Sequence, residues 1–173
     1  MKICTKCGLE KDLSLFYWFS WVFILNKMIV SPWISVGPFG PVTCAGGVES
    51  LVHVRQGELD GACGPYSLIM AMITLGVIGR QSVVNMSRWS GNTREVRFRK
   101  KLEGLGALVN GGSNCSHLAD MADCFAGVGM SHETCSGTKK VILDSVLSAI
   151  EEDRVPLIGQ GYGWRYGVSG RVS

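Results

Sequence analysis

The sequence predicts a domain that mixes helices and strands, of the α/β or α+β class, and three stretches carry that prediction. Residues 64–79 form an almost continuous apolar run of helical length, directly after an Asp-Gly turn signal. Residues 139–152 show the apolar period of an amphipathic helix, and residues 154–159 have the composition of a strand. Alternation predicts another short strand over residues 50–54. With 173 residues, the chain is long enough for one domain with a real core.

Composition and charge exclude several classes of protein. Hydrophobic residues make up 46% of the chain and charged residues 18%, which argues against wholesale disorder. The net charge of +3 is too small to indicate nucleic acid or an anionic membrane as the partner. The seven cysteines are odd in number and follow no framework spacing. We therefore expect free thiols in a reducing, cytoplasmic compartment.

Residues 1–12 hold a Cys-x-x-Cys pair, Cys4 and Cys7, among lysines. The pair is half of a zinc knuckle and resembles the opening of small zinc-binding segments at the start of many phage and bacterial HNH-type proteins. Zinc takes four ligands, and no second pair follows at that spacing; Cys44 and His53 are the nearest candidates and stand alone. We expect an orphan knuckle and no cofactor, with zinc at Cys4 and Cys7 as the alternative.

Residues 13–36 form an apolar, aromatic segment whose origin the sequence leaves open. The run at 13–25 is too short to span a bilayer as a helix, and a longer segment contains Lys27 and Pro32. No small-residue cleavage site follows, so a signal peptide is not predicted. Two readings remain: an interfacial anchoring segment, which we do not favour, or non-native upstream sequence with Met28 as the true start. Residues 37–50, rich in Gly and Pro, are predicted to be a linker.

Two stretches in the middle of the chain are predicted to be helical and structural. Residues 82–103 carry six Arg and Lys side chains, which we interpret as a solvated helix face because too few aromatic residues are interleaved for RNA binding. Residues 115–126 are predicted to be a helix capped by Asn114 or Ser116. Several potential metal ligands fall in or near this helix, but their spacing matches no zinc module: Cys115, His117, Asp120, Cys124, His132 and Cys135.

Cys63 is the strongest candidate for a reactive residue. It follows the turn at Asp60-Gly61 and opens the apolar run, so it is placed at a helix N-terminus, where unpaired N–H groups favour a thiolate. Ala62 and Gly64 are small and leave room for a substrate carbonyl to approach. The alternative is that Cys63 is an inert, buried residue at the start of a core helix.

The segment from Gln56 to Ser67 resembles the nucleophile segment of papain-like cysteine peptidases, in particular the bacterial group related to bacteriocin-processing peptidases. The match covers about residues 52–76, with a weaker echo near residue 160. The resemblance implies a papain-like fold over residues 51–173, with a helical half and an incomplete sheet half. It also implies that Cys63 attacks a peptide bond of a peptide or protein substrate, while Gln56 donates to the oxyanion.

The chain departs from this family in its last residues. In the family, a strand late in the chain opens with the catalytic His and is followed by an Asn or Asp. Residues 161–168 contain no His, and Gln56 lies one residue further from Cys63 than in papain. We therefore expect little or no peptidase activity from this chain, which has the features of a truncated or frameshifted copy. The alternative function is a catalytically inactive protein that binds peptides.

Overall fold

The computed structural model describes residues 32–45, 47–54, 63–104 and 113–159 in full. Five further short strands are described by their backbone: β1 (Lys2–Ile3), β2 (Glu10–Lys11), β3 (Val22–Ile24), β4 (Lys27–Ile29) and β10 (Tyr166–Val172). Strand β1 pairs with β2, and β3 pairs with β4, each as an antiparallel pair.

A three-stranded antiparallel sheet lies within residues 35–51. Its order is β5 (Ser35–Gly37), β6 (Gly40–Thr43) and β7 (Ser50–Leu51). The stretch predicted to be a linker, residues 37–50, contains strand β6 and the last residue of β5: Gly37 pairs with Gly40, and a two-residue turn joins the strands. The glycines and prolines that suggested a linker build this tight hairpin, and Gly40 has a φ of +125°, which favours glycine. The strand predicted at 50–54 is confirmed over its first two residues.

Five α-helices follow in the described part of the chain. They are α1 (Cys63–Thr74), α2 (Arg80–Val84), α3 (Arg94–Gly104), α4 (Cys115–Ala122) and α5 (Lys139–Glu151), with 3₁₀ helices at Met86–Arg88 and Asp123–Val128. The helices predicted at 64–79, 115–126 and 139–152 are confirmed. Helix α1 ends earlier than predicted because Gly76 takes a φ of +71° and its N–H donates to the carbonyl of Ile73.

A second three-stranded antiparallel sheet has the order β8 (Met130–Cys135), β10, β9 (Val155–Gly159). The strand predicted at 154–159 is confirmed as β9. The glycine- and serine-rich stretch at 166–172 forms the central strand β10, which pairs with both neighbours. A sequence of that composition gives little apolar alternation, so the pattern alone did not predict this strand.

Apolar clusters cover both faces of this second sheet. Leu157 on β9 packs against the larger cluster, which includes Ile69 and Met72 of α1. Its neighbour Ile158 packs against the smaller cluster, built on Ile142 of α5. Successive strand residues point to opposite faces, so α1 and α5 lie on opposite sides of the sheet. The chain is therefore a mixed helix-and-strand protein with small antiparallel sheets, as its α+β prediction requires.

The described helices are all too short or too polar to span a membrane. The longest of them, α5, carries the charged side chains of Lys139 and Lys140 at its start and Glu151 at its end.

Candidate active site

Cys63 is the first residue of α1, and its side chain is exposed to solvent. The first turn of α1 contains no acidic residue, so no carboxylate of the helix itself competes with an anion at this end. Pro65 lies in the same turn and is fully buried; it needs no hydrogen-bond partner there because it has no N–H. The expectation that a cysteine opens the principal helix is confirmed.

Helix α1 holds Cys63 on a rigid support. Leu68, Ile69 and Met72 on the same helix are almost completely buried in the larger apolar cluster. At the start of the helix, Ser67 Oγ donates to the carbonyl oxygen of Cys63 at 2.8 Å. At its end, the buried Thr43 Oγ1 donates to the carbonyl of Thr74 at 3.1 Å and ties α1 to strand β6. The backbone position of the thiol is thus fixed from both ends of the helix.

The residue after the cysteine makes a close contact that the sequence did not predict. A Cβ atom added to Gly64 would overlap Ser113 Oγ and would lie 3.3 Å from Leu118 Cδ2. We expected Gly64 to leave room for a substrate carbonyl, but the start of α4 occupies the space on this side. Gly64 therefore lets two helix N-termini, those of α1 and α4, approach closely.

A capping box fixes the start of α4 beside Gly64. Asn114 Oδ1 accepts from the backbone N–H of His117 at 3.0 Å, and the backbone N–H of Asn114 donates to His117 Nδ1 at 3.4 Å. This confirms Asn114 as the cap. Because Nδ1 accepts this bond, the neutral ring carries its proton on Nε2. Just before the cap, Ser113 Oγ is buried and has no hydrogen-bond partner in the described structure.

The described histidines are not hydrogen-bonded to Cys63. His117 is engaged in the cap of α4, and His132 on β8 places Nδ1 3.5 Å from Asp123 Oδ1. His53 is exposed in the stretch that follows β7. The described residues therefore hold a nucleophile candidate without a paired general base.

Several residues of the sequence-based prediction lie outside the described residues. They are Gln56, the expected oxyanion donor, the two cysteines of the knuckle, Cys4 and Cys7, and residues 161–165. Within the described ranges, no group of three or more His, Cys, Asp and Glu side chains is arranged to hold a metal ion. The pair Cys4 and Cys7 belongs to the stretch between β1 and β2.

Other cysteines of the described chain differ from Cys63 in their surroundings. Cys44 is also exposed, whereas Cys115 and Cys124 are half-buried, and all of these thiols are free. Burial raises the pKa of the Cys115 thiol. Burial also raises the pKa of Cys124, although the positive charges of Lys101 and Arg97 oppose it. At neutral pH the two half-buried thiols are therefore protonated and poor nucleophiles.

A cavity of about 400 Å³ lies apart from Cys63, beside the first turn of α3. It is lined by Thr93, Arg94, Glu95, Arg97, Cys124 and Gly127. Glu95 pairs with Arg94 at 3.0 Å, so one of the two arginines is already neutralised.

No protein-family model matches the chain, and no curated protein or solved structure is similar enough to count as a relative. Function is therefore inferred from the chain's own residues.

Proposed function

We propose that this protein is a cysteine peptidase of papain-like fold in which Cys63 is the nucleophile and a peptide or protein is the substrate. The observation that carries the proposal is the exposed thiol at the first residue of α1, a helix otherwise anchored in the core. A helix N-terminus stabilises a thiolate and, once the thiolate has attacked, the negative charge that develops on the substrate oxygen. A cysteine with only a packing role would not be expected to face solvent.

The reaction has two steps. The sulfur attacks the carbonyl carbon of the peptide bond, a C–S bond forms, and the carbonyl oxygen becomes an oxyanion. Backbone N–H groups of the first turn of α1 and the side-chain amide of Gln56 would donate to that oxygen. Collapse breaks the C–N bond, and the amine leaves with the proton that the thiol gave up. Water then hydrolyses the thioester, releases the carboxylic acid and restores the thiol.

The reaction also requires a group that carries the proton from the thiol to the leaving amine. The chain contains three histidines, His53, His117 and His132, and none of them lies in the sequence position of the family's catalytic His. Without a positioned base, general acid–base catalysis contributes little, and we expect slow turnover. Alanine variants at each of the three histidines would identify the proton carrier. It is the histidine whose replacement lowers the Cys63-dependent rate below that of the unchanged chain.

The decisive experiment compares Cys63→Ala with a matched control, Cys44→Ala, because Cys44 is the other exposed thiol among the residues that the structure describes. Each protein is incubated with a mixture of peptides, and new termini are identified by mass spectrometry. We expect slow cleavage by the unchanged chain and by Cys44→Ala, and a loss of that cleavage in Cys63→Ala. The loss should be smaller than in an enzyme with a positioned base, because nucleophile and base act as a unit. Equal cleavage by all three proteins, or none by the unchanged chain, would contradict the peptidase proposal.

A second candidate function is peptide binding without cleavage. It is favoured by the lack of any hydrogen bond between Cys63 and a described histidine. In that case peptides would bind the unchanged chain and Cys63→Ala with equal affinity, measured by fluorescence anisotropy, and no new termini would appear. A peptidyl chloromethyl ketone would also label Cys63 no faster than Cys44.

A further inference from the structure

The hairpin formed by β5 and β6 ends in a tip that carries only apolar side chains. Its turn residues, Pro38 and Phe39, lie between the paired glycines Gly37 and Gly40. Phe39 is 85% exposed and Val36, on the strand before the turn, is 74% exposed. Exposed apolar residues are normal when scattered, but here two large ones share the tip of one hairpin.

The tip contains few groups that require water. Residues 36–42 are Val, Gly, Pro and Phe, so no side chain in this stretch donates or accepts a hydrogen bond. Pro38 and Pro41 also lack a backbone N–H, which removes two donors that would be costly to transfer to an apolar medium. Side chains of this kind suit the apolar side of a bilayer interface, because none of them needs a hydrogen-bond partner.

Charge distribution agrees with an apolar environment around the hairpin. Across residues 13–48, Lys27 is the single charged residue, although charged residues make up 18% of the whole chain. This nearly uncharged run includes the aromatic stretch 13–25, which precedes the hairpin in the sequence. A stretch with a single lysine offers little charge to pair with lipid headgroups, so its attraction to a bilayer would come from apolar insertion.

The hairpin is attached to the body of the protein at its base. The indole Nε1–H of Trp33 donates to the carbonyl of Asp153 at 3.2 Å. On the following strand, Val42 and Thr43 are buried, and Thr43 bonds to the end of α1. Insertion of the tip would therefore hold α1 and the second sheet at a defined distance from the surface.

We propose that the hairpin tip, Val36 to Phe39, inserts into the interfacial region of a lipid bilayer and makes this protein a peripheral membrane protein. The binding is apolar, so it does not depend on anionic lipids and is not weakened by salt. This inference is independent of the peptidase proposal, because it involves neither Cys63 nor its surroundings.

The test is co-sedimentation of the full chain with vesicles of pure phosphatidylcholine. We expect binding that is unchanged between about 0.1 and about 1 M salt, a range over which exposed charges become fully screened. Phe39→Ser should weaken the partition coefficient about tenfold or more, since burial of a phenylalanine side chain accounts for a factor of that size. Val84→Ser is the matched control, because Val84 is a 58% exposed valine on α2, outside the hairpin.

Three results would overturn the proposal. One is no sedimentation of the unchanged chain with the vesicles, and another is equal partition of Phe39→Ser and the unchanged chain. The third is a lipid-free dimer, seen by analytical ultracentrifugation, that Phe39→Ser dissociates, because the tip would then be the contact between two copies. Circular dichroism of each variant verifies that the exposed substitutions leave the fold intact.

Discussion

At the scale of single residues, Gly64 is required by a neighbour rather than by its own torsion angles. It lies inside helix α1, where glycine is normally a poor choice relative to alanine. The space that a methyl group would need is filled by Ser113 Oγ and approached by Leu118. Gly64 is thus the residue that sets the distance between the start of α1, with its thiol, and the start of α4.

We predict that Gly64→Ala lowers the free energy of unfolding by about 1–3 kcal/mol, because the added Cβ overpacks against Ser113. Urea denaturation of the two proteins measures the difference. Gly104→Ala is the control: among the described residues, no heavy atom outside its own helix backbone and chain neighbours lies within 4 Å of the added Cβ. This substitution should therefore be neutral or stabilise by up to about 1 kcal/mol.

A double variant separates this contact from a general effect of the substitution. Ser113→Ala removes the Oγ that Gly64→Ala would overlap, so the double variant should recover most of the lost stability. If the stability lost in the double variant equals the sum of the losses in the two single variants, the destabilisation by Gly64→Ala does not come from its contact with Ser113. The same stability measurements also test how the candidate site is held in place, because Gly64 directly follows Cys63 in helix α1.

At the scale of elements, side chains at the start of α3 bond to one another and to the backbone of its first turn. Thr93 Oγ1 accepts from the backbone N–H of Val96 at 3.3 Å, and Glu95 pairs with Arg94. Burial by itself would raise the pKa of Glu95, but hydrogen bonds from its own N–H, from Thr93 and from Arg94 together lower it. The carboxylate is therefore stabilised in the folded state.

We predict that Glu95→Gln destabilises the protein by about 0.5–1 kcal/mol at neutral pH. The folded pKa lies below the unfolded one, so this stabilisation is present above about pH 4.3, the ordinary value for Glu, and is lost as pH falls through the folded pKa. Thermal unfolding of both proteins, measured from neutral to acid pH, shows whether their stabilities converge as the carboxylate of Glu95 becomes protonated. Glu103→Gln on the same helix, where the carboxylate is 60% exposed, should cost less than about 0.5 kcal/mol. A difference that persists unchanged in acid would contradict the role of the carboxylate.

The sequence predicts the helices better than the strands of this protein. Helices α1, α4 and α5 have strong local signals: an apolar period, and caps such as Asn114. Strand β10 and the hairpin of β5 and β6 depend on pairing with distant or tightly turned partners, and their glycines and prolines conceal the alternation. The position of Cys63 at a helix start follows from local pattern in the same way. The contact of Ser113 with Gly64 does not, because it joins residues far apart in the sequence.

At the scale of the whole molecule, the second sheet is shared by two apolar clusters. Phe98 and Phe125 meet edge to face in the larger cluster, with ring centroids 5.8 Å apart. Ile142 is the most buried residue of the smaller cluster. Leu157 and Ile158 are adjacent on β9 and pack against one cluster each, so the loss of either cluster would expose one face of the same strand.

We predict that Phe98→Ala and Ile142→Ala each unfold in a single transition. The free energy of unfolding should fall by about 3–5 kcal/mol in Phe98→Ala and by about 2–5 kcal/mol in Ile142→Ala. Far-ultraviolet circular dichroism and tryptophan fluorescence should give coincident curves for each variant, as a two-state transition requires. Val141→Ala is a control near the second site, since Val141 is 46% exposed and its truncation should change stability by less than about 0.5 kcal/mol. Two separated transitions would show that the clusters unfold independently.

The hydrogen bond from Trp33 to Asp153 also determines an order of events in time. It joins residues 120 positions apart, so it closes one of the longest loops in the chain. At a synthesis rate of about 5–20 residues per second, Trp33 is translated on the order of ten seconds before its partner exists. During translation the hairpin with its exposed Phe39 is therefore available to a bilayer or a chaperone before the body of the protein is complete. Its attachment to the body of the protein is one of the last steps of folding.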